Sequence, residues 1–102
     1  MVIYFLTCAN IKEANKISGA LLEKKLIACS RQSEVCSSYW WDGKINHDNE
    51  ILLMMESLKE KFDEIEKIVT ELHSYDEYVL TMVPVLKTTS EVHQWLENTL
   101  NQ

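Results

Sequence analysis

The sequence predicts a single α+β domain over residues 1–102, a split β-α-β-β-α-β sandwich with an extended central hairpin and an added C-terminal helix. Three observations predict it. Short β-branched and aromatic runs alternate with segments of helical periodicity. Asp42-Gly43 stands between two strand-forming runs, which is the strongest short-range signal for a hairpin. An Asx or Ser/Thr residue followed three positions later by Glu opens each helical segment, the pattern of a capping box.

Val2 to Leu6 is too short for a helix and ends at a polar, small-residue stretch, so it reads as the first strand. Asn10-Ile11-Lys12-Glu13 then starts a helix: the Asn10 side chain accepts from first-turn N–H groups and Glu13 reaches back. Ala14, Ile17, Leu21 and Leu22 continue at helical spacing to about Lys25. The second strand begins near Leu26 and runs to Trp41, where Asp42-Gly43 turns the chain. Asn46-His47-Asp48-Asn49 interrupts the return arm, and a bulge or kink is expected there. Ile51 to Met55 is apolar at consecutive positions, so both faces of this third strand should be covered.

Ser57-Leu58-Lys59-Glu60 is a second capping box, followed by the apolar stripe Phe62, Ile65, Ile68, Val69 and Leu72 up to a helix end near His73. Tyr78 to Leu86 forms the fourth strand, and Pro84, which cannot donate to a ladder, places this end at an edge or a bulge. Thr88-Thr89-Ser90-Glu91 starts a final helix carrying Val92, Trp95 and Leu96. Right-handed crossovers give the strand order 4-1-3-2 of the ferredoxin-like plan. Its helices cover one sheet face. The apolar strands leave the other face to be covered, which implies a homo-oligomer.

At 102 residues with 46% apolar content, the chain can form a packed core without disulfide or metal staples. Its 10 Lys+Arg against 16 Asp+Glu give a net charge of −6. That balance argues against nucleic acid as a partner. No apolar run reaches the length of a membrane span, and Met1 to Leu6 lacks the basic leader of a signal peptide. The expected location is the cytoplasm. Cys8, Cys29 and Cys36 have neither CxxC spacing nor an even count, so they read as reduced thiols.

No phosphate-binding glycine loop and no nucleophile–base–acid arrangement is visible, and the chain reads as a non-enzyme. The topology gathers the end of the first strand, the loop after the second helix and the hairpin turn at one end. Metal candidates there are Cys8, His73 and Asp76, with His47 and Met54 or Met55 as weaker ones. Thiolate and imidazole together suit copper or zinc. Tyr39, Trp40, Trp41 and Tyr75 are the candidates for a subunit interface or ligand cleft.

Several segments together resemble the CutA divalent-cation tolerance family. Ala20-Leu21-Leu22-Glu23-Lys24-Lys25-Leu26-Ile27-Ala28-Cys29 resembles its helix-to-strand passage, and Tyr39-Trp40-Trp41-Asp42-Gly43-Lys44-Ile45 its aromatic hairpin. Leu72-His73-Ser74-Tyr75-Asp76 resembles its His-Pro-Tyr-Glu loop; Val83-Pro84-Val85 and Trp95-Leu96 match its last strand and helix. The resemblance implies an interlocked homotrimer, a cytoplasmic location and a role in tolerance of copper and other divalent cations, with the ion not required for folding. A PII-like module sensing a small ligand, or an oligomeric scaffold, are the alternatives. The chain departs from the family at Ser74, at Tyr78-Val79 and at Glu56-Ser57. Some members carry a ligating cysteine as the last residue of strand one. Here Thr7 takes that place and Cys8 follows, a step that reverses side-chain direction unless the chain is irregular after Leu6.

Overall fold

A computed structural model describes residues 1–101. The elements are β1 (Val2–Cys8), α1 (Ile11–Glu23), β2 (Cys29–Trp41), β3 (Lys44–Ser57), a 3₁₀ turn (Lys59–Lys61) leading into α2 (Phe62–Leu72), β4 (Leu80–Pro84) and α3 (Ser90–Leu100). The sheet is antiparallel in the order β2-β3-β1-β4, the predicted order read from the opposite edge.

β1 is longer than its apolar run because Thr7 and Cys8 still find Leu52 and Ile51 across the ladder. Asn10 caps α1 as expected, its side-chain oxygen accepting the Glu13 N–H at 2.9 Å. Glu13 reaches back one residue further than the box predicts, to the Ala9 N–H at 2.7 Å. The helix stops two residues before Lys25, which takes the left-handed conformation at φ 55. The Leu26 N–H returns to the Leu21 carbonyl and the Lys25 N–H to Leu22, a Schellman closure that buries Leu26 and Ile27. β2 therefore starts at Cys29.

The other two capping boxes do not form. Ser57 closes β3 with its side chain buried, and its hydroxyl donates to the Leu26 carbonyl at 2.5 Å. α2 instead starts through the 3₁₀ turn, without a side-chain cap, and Thr89 likewise caps α3 by backbone alone. The expected bulge at Asn46–Asn49 is also absent: β2 and β3 pair one-to-one from Trp41↔Lys44 to Cys29↔Glu56. The polar residues there serve the ribbon. Cys36 donates to Asn49, Ser38 bonds His47, and the Tyr39 hydroxyl donates to Asp48. At the tip, Asp42 and Gly43 have φ 52 and 74, the two positive values a type I′ turn requires.

Side chains alternate along each strand. Tyr4, Leu6 and Cys8 of β1 and Leu53 and Met55 of β3 form the inner face, packed against Ala14, Ile17 and Leu21 of α1 and Ile65 and Val69 of α2. α3 packs Leu96 and Leu100 against Leu58, Met1 and Ala28, at the end of the sheet away from Cys8. The outer face presents Ile3, Phe5, Leu52, Met54 and Val83, none of them fully buried. Among the described residues the helices pack their buried side chains on the inner face or against Leu58, Met1 and Ala28, which leaves the outer side as the apolar surface predicted from the consecutive apolar positions.

Candidate metal centre

The site is built where β1 ends, α1 begins and α2 gives way to the loop before β4. His73 is the C-cap of α2, its N–H bonded to the Val69 carbonyl at 2.8 Å. Its imidazole is completely buried. Nε2 lies 2.8 Å from the Thr7 carbonyl oxygen, which only accepts, so Nε2 carries the hydrogen. Nδ1 accepts the Tyr75 N–H at 3.0 Å. Two backbone groups thus fix the neutral tautomer. The ring lies between Tyr75 and Tyr78, with centroids 4.7 Å and 5.3 Å away.

Glu13 ties three segments together. Oε2 accepts the Ala9 N–H at 2.7 Å, Oε1 accepts the Ser74 N–H at 2.6 Å, and Oε2 lies 3.9 Å from His73 Nδ1. Burial pushes its carboxyl pKa up, but the hydrogen bonds from Ser74 and Ala9 outweigh burial and hold it below the ordinary value. Cys8 is fully buried beside this carboxylate. Burial, then the charges of Glu13 and Glu50, push the thiol up to about 12. It is protonated at neutral pH and a poor nucleophile. We expect iodoacetamide at pH 7.5 to spare Cys8 in the folded protein and to label it in denaturant; rapid labelling of native Cys8 by peptide mapping would contradict this placement.

The ligand atoms of Cys8, Glu13 and His73 all lie within 4.8 Å of one another. The structure therefore brings two of the sequence candidates together and supplies a different third. Asp76 is exposed and stands outside the group; the buried Glu13 takes its place. Glu13 was legible in the sequence only as a capping residue. The signal pointing further was its position in the first turn after a strand ending in Cys8, which puts both at one end of the sandwich. The one-residue step at Cys8 needs no chain irregularity. β1 runs regularly to its end, and Cys8 shares the inner face with Tyr4 and Leu6. His47 is engaged with Ser38 on the hairpin, and Met54 and Met55 lie on opposite sheet faces. None of these three joins the group.

The aromatic candidates separate. The Tyr75 hydroxyl donates to Glu50 at 2.8 Å, next to the metal candidates. Burial, then that hydrogen bond and the charge of Glu50, raise its pKa. Trp40 and Trp41, 72% and 59% exposed, sit at the hairpin tip. The tip pair Trp41↔Lys44 lies seven residues along β3 from Ile51, the partner of Cys8, or roughly 24 Å at strand rise. Within one chain these residues do not line a common cleft. A cleft of about 680 Å³ does open at the start of α1, lined by Asn10, Glu34, Cys36, Asn49 and Glu50 among others.

Thiol, imidazole and carboxylate form a donor set that suits zinc or copper. Each carboxylate oxygen of Glu13 keeps a lone pair beyond the one given to its N–H partner, and Cys8 can ligate by losing its proton. Only His73 is fully committed, its single free lone pair resting on Tyr75. The residues fit an ion provided that one bond is exchanged.

The model of the CutA1 divalent ion tolerance protein family matches residues 2–99. A divalent-cation tolerance protein CutA from Archaeoglobus fulgidus is 32% identical over 96 residues, covering 94% of each chain. One from Thermotoga maritima is 32% identical over 100 residues, covering 98% of this chain and 99% of its own. Among solved structures, one described as the periplasmic divalent cation tolerance protein CutA from Archaeoglobus fulgidus superposes with a TM-score of 0.95 over 98% of this chain and 99% of that one. CutA1 from Pyrococcus horikoshii, at 27% identity, gives 0.93 over the whole of both chains.

Proposed function

The chain belongs to the CutA1 divalent ion tolerance family, and from that premise we propose that it is a non-enzymatic homotrimer that serves divalent-cation tolerance by binding one copper or zinc ion per chain at Cys8, Glu13 and His73. The observation that carries this reading is the convergence of three ligand atoms within 4.8 Å, the one such group found among the described residues. The ion adds to a site that folding has already assembled, so it is not needed for folding. The outer-face residues Ile3, Phe5, Leu52, Met54 and Val83, together with exposed Trp40, Trp41 and Ile45 on the arm, support assembly of several copies. The number three follows the family resemblance. In the assembled protein, Tyr39, Trp40 and Trp41 contribute to a neighbour's surface.

Among the described residues no helix is long and apolar enough to cross a membrane. A cytoplasmic location is part of the proposal and rests on three unpaired cysteines, the state a reducing compartment maintains. The small-ligand reading would use the cleft at the start of α1. Its Glu34 and Glu50 carboxylates favour a cationic ligand there over a nucleotide.

The test is equilibrium dialysis of metal-stripped protein against Zn²⁺ and against Cu⁺ under reducing conditions. The parent is expected to hold one ion per chain, and Cys8→Ser and His73→Ala to lose at least tenfold in affinity while keeping the parent's oligomer size. Equal binding by both variants would remove the ion from this site.

A further inference from the structure

We propose that the loop after α2 is a latch over the metal centre: His73 can hold Tyr75 or an ion through Nδ1, but not both. The inference rests on the reading that Cys8, Glu13 and His73 form the ion site, and it concerns how filling that site is felt elsewhere in the fold.

A neutral imidazole has one N–H and one lone pair. The Thr7 carbonyl at 2.8 Å requires the N–H at Nε2. The remaining lone pair, at Nδ1, accepts the Tyr75 N–H at 3.0 Å and is also the nitrogen facing Glu13, 3.9 Å away. The other two ligands are not spent in this way. Glu13 can keep the Ser74 and Ala9 N–H groups on one lone pair of each oxygen, and Cys8 gives its thiol proton to solvent. His73 alone must give up a partner, and that partner is the backbone of Tyr75.

Tyr75 does not move in isolation. Its ring lies tilted on the His73 ring at 4.7 Å, and its hydroxyl donates to Glu50 at 2.8 Å. Glu50 is buried at the base of the β2–β3 arm and lines the 680 Å³ cleft at the start of α1. Release of the Tyr75 N–H therefore strains or breaks the Tyr75–Glu50 bond. Occupancy of a buried site is thereby transmitted to the cleft and to the root of the hairpin. The closed latch also holds the ion affinity below its intrinsic value, because only the open fraction of the protein offers the Nδ1 lone pair. By reciprocity, whatever loosens Tyr75 tightens the ion.

Removing the Tyr75 hydroxyl with Tyr75→Phe takes away one hydrogen bond of the latch and none of the ion's ligands. The test uses Zn²⁺ alone, with amide hydrogen exchange read residue by residue and affinity by competition with a chelator, on the parent, Tyr75→Phe and Cys8→Ser. Glu50→Ala removes the same bond from its other end, and its Tyr75 amide exchange, rather than its affinity, stands in if Tyr75→Phe does not fold, because the Glu50 charge also acts on Cys8. We expect Cys8-dependent Zn²⁺ binding, faster exchange of the Tyr75 amide in the loaded protein, and about fivefold tighter binding by Tyr75→Phe. Cys8-dependent binding with the Tyr75 amide still protected and the affinity of Tyr75→Phe unchanged would overturn the latch while leaving the site. No Cys8-dependent binding in either the parent or Tyr75→Phe would overturn the site, and the latch with it.

Discussion

Glu13→Ala is expected to lower the unfolding free energy by about 3 kcal/mol, measured by urea denaturation at one fixed chain concentration. The carboxylate satisfies two backbone N–H groups, at Ala9 and at Ser74, and is itself nearly buried. Hydrogen bonds to a charged group contribute roughly 1.5–3 kcal/mol each, and leaving a buried donor unpaired costs a similar amount. Concentration is fixed because the proposed assembly would add to apparent stability. Glu13→Gln should cost nearly as much, since an amide offers one acceptor oxygen where two are used. The acid limb of the stability curve carries the same signature. The folded carboxyl lies below its ordinary value, so its contribution is complete above the unfolded pKa near about 4.3 and is lost as pH falls through the lower folded value. Both variants should flatten that limb. An unchanged limb with less than about 0.5 kcal/mol lost would show that Glu13 does not hold the loop.

Phe5→Glu is expected to convert the assembled protein into monomers at micromolar concentration, read by sedimentation. Phe5 pairs with Met54 on one side and Thr81 on the other, at the middle of the outer sheet face. Its neighbours on that face include Ile3, Leu52 and Val83. A carboxylate placed there is solvated in the monomer but would be desolvated at every contact in the assembly, at several kcal/mol for each. The inner core is untouched, so the monomer should retain far-UV circular dichroism. A variant that remains oligomeric would mean that subunits meet elsewhere.

The topology was legible because the order of elements, the Asp42-Gly43 turn and the handedness of crossovers leave few arrangements. Capping was less so. A Ser-x-x-Glu pattern has the same letters whether its serine faces solvent or core. At Ser57 strand alternation turns the hydroxyl inward to Leu26, while at Asn10 the side chain is free to cap. Asn46 to Asn49 read as an interruption because a single strand does not reveal its partners; Ser38, Tyr39 and Cys36 opposite them turn those residues into rungs. The site was half legible. Cys8 and His73 are chemically conspicuous and lie at element ends that the topology joins. Glu13 was hidden by its capping role, and Asp76 was suggested by the loop that the topology brings to the end of strand one, yet its side chain is exposed.

Native mass spectrometry of metal-stripped protein, with and without one equivalent of Zn²⁺ or Cu⁺ per chain, decides whether each chain holds an ion at Cys8, Glu13 and His73. It reads assembly and ion stoichiometry in one spectrum. The prediction is a trimer that gains three ions, and a Cys8→Ser trimer that gains none. A trimer that remains bare, or a Cys8→Ser trimer that fills as readily as the parent, would contradict the assignment of the ion to Cys8, Glu13 and His73.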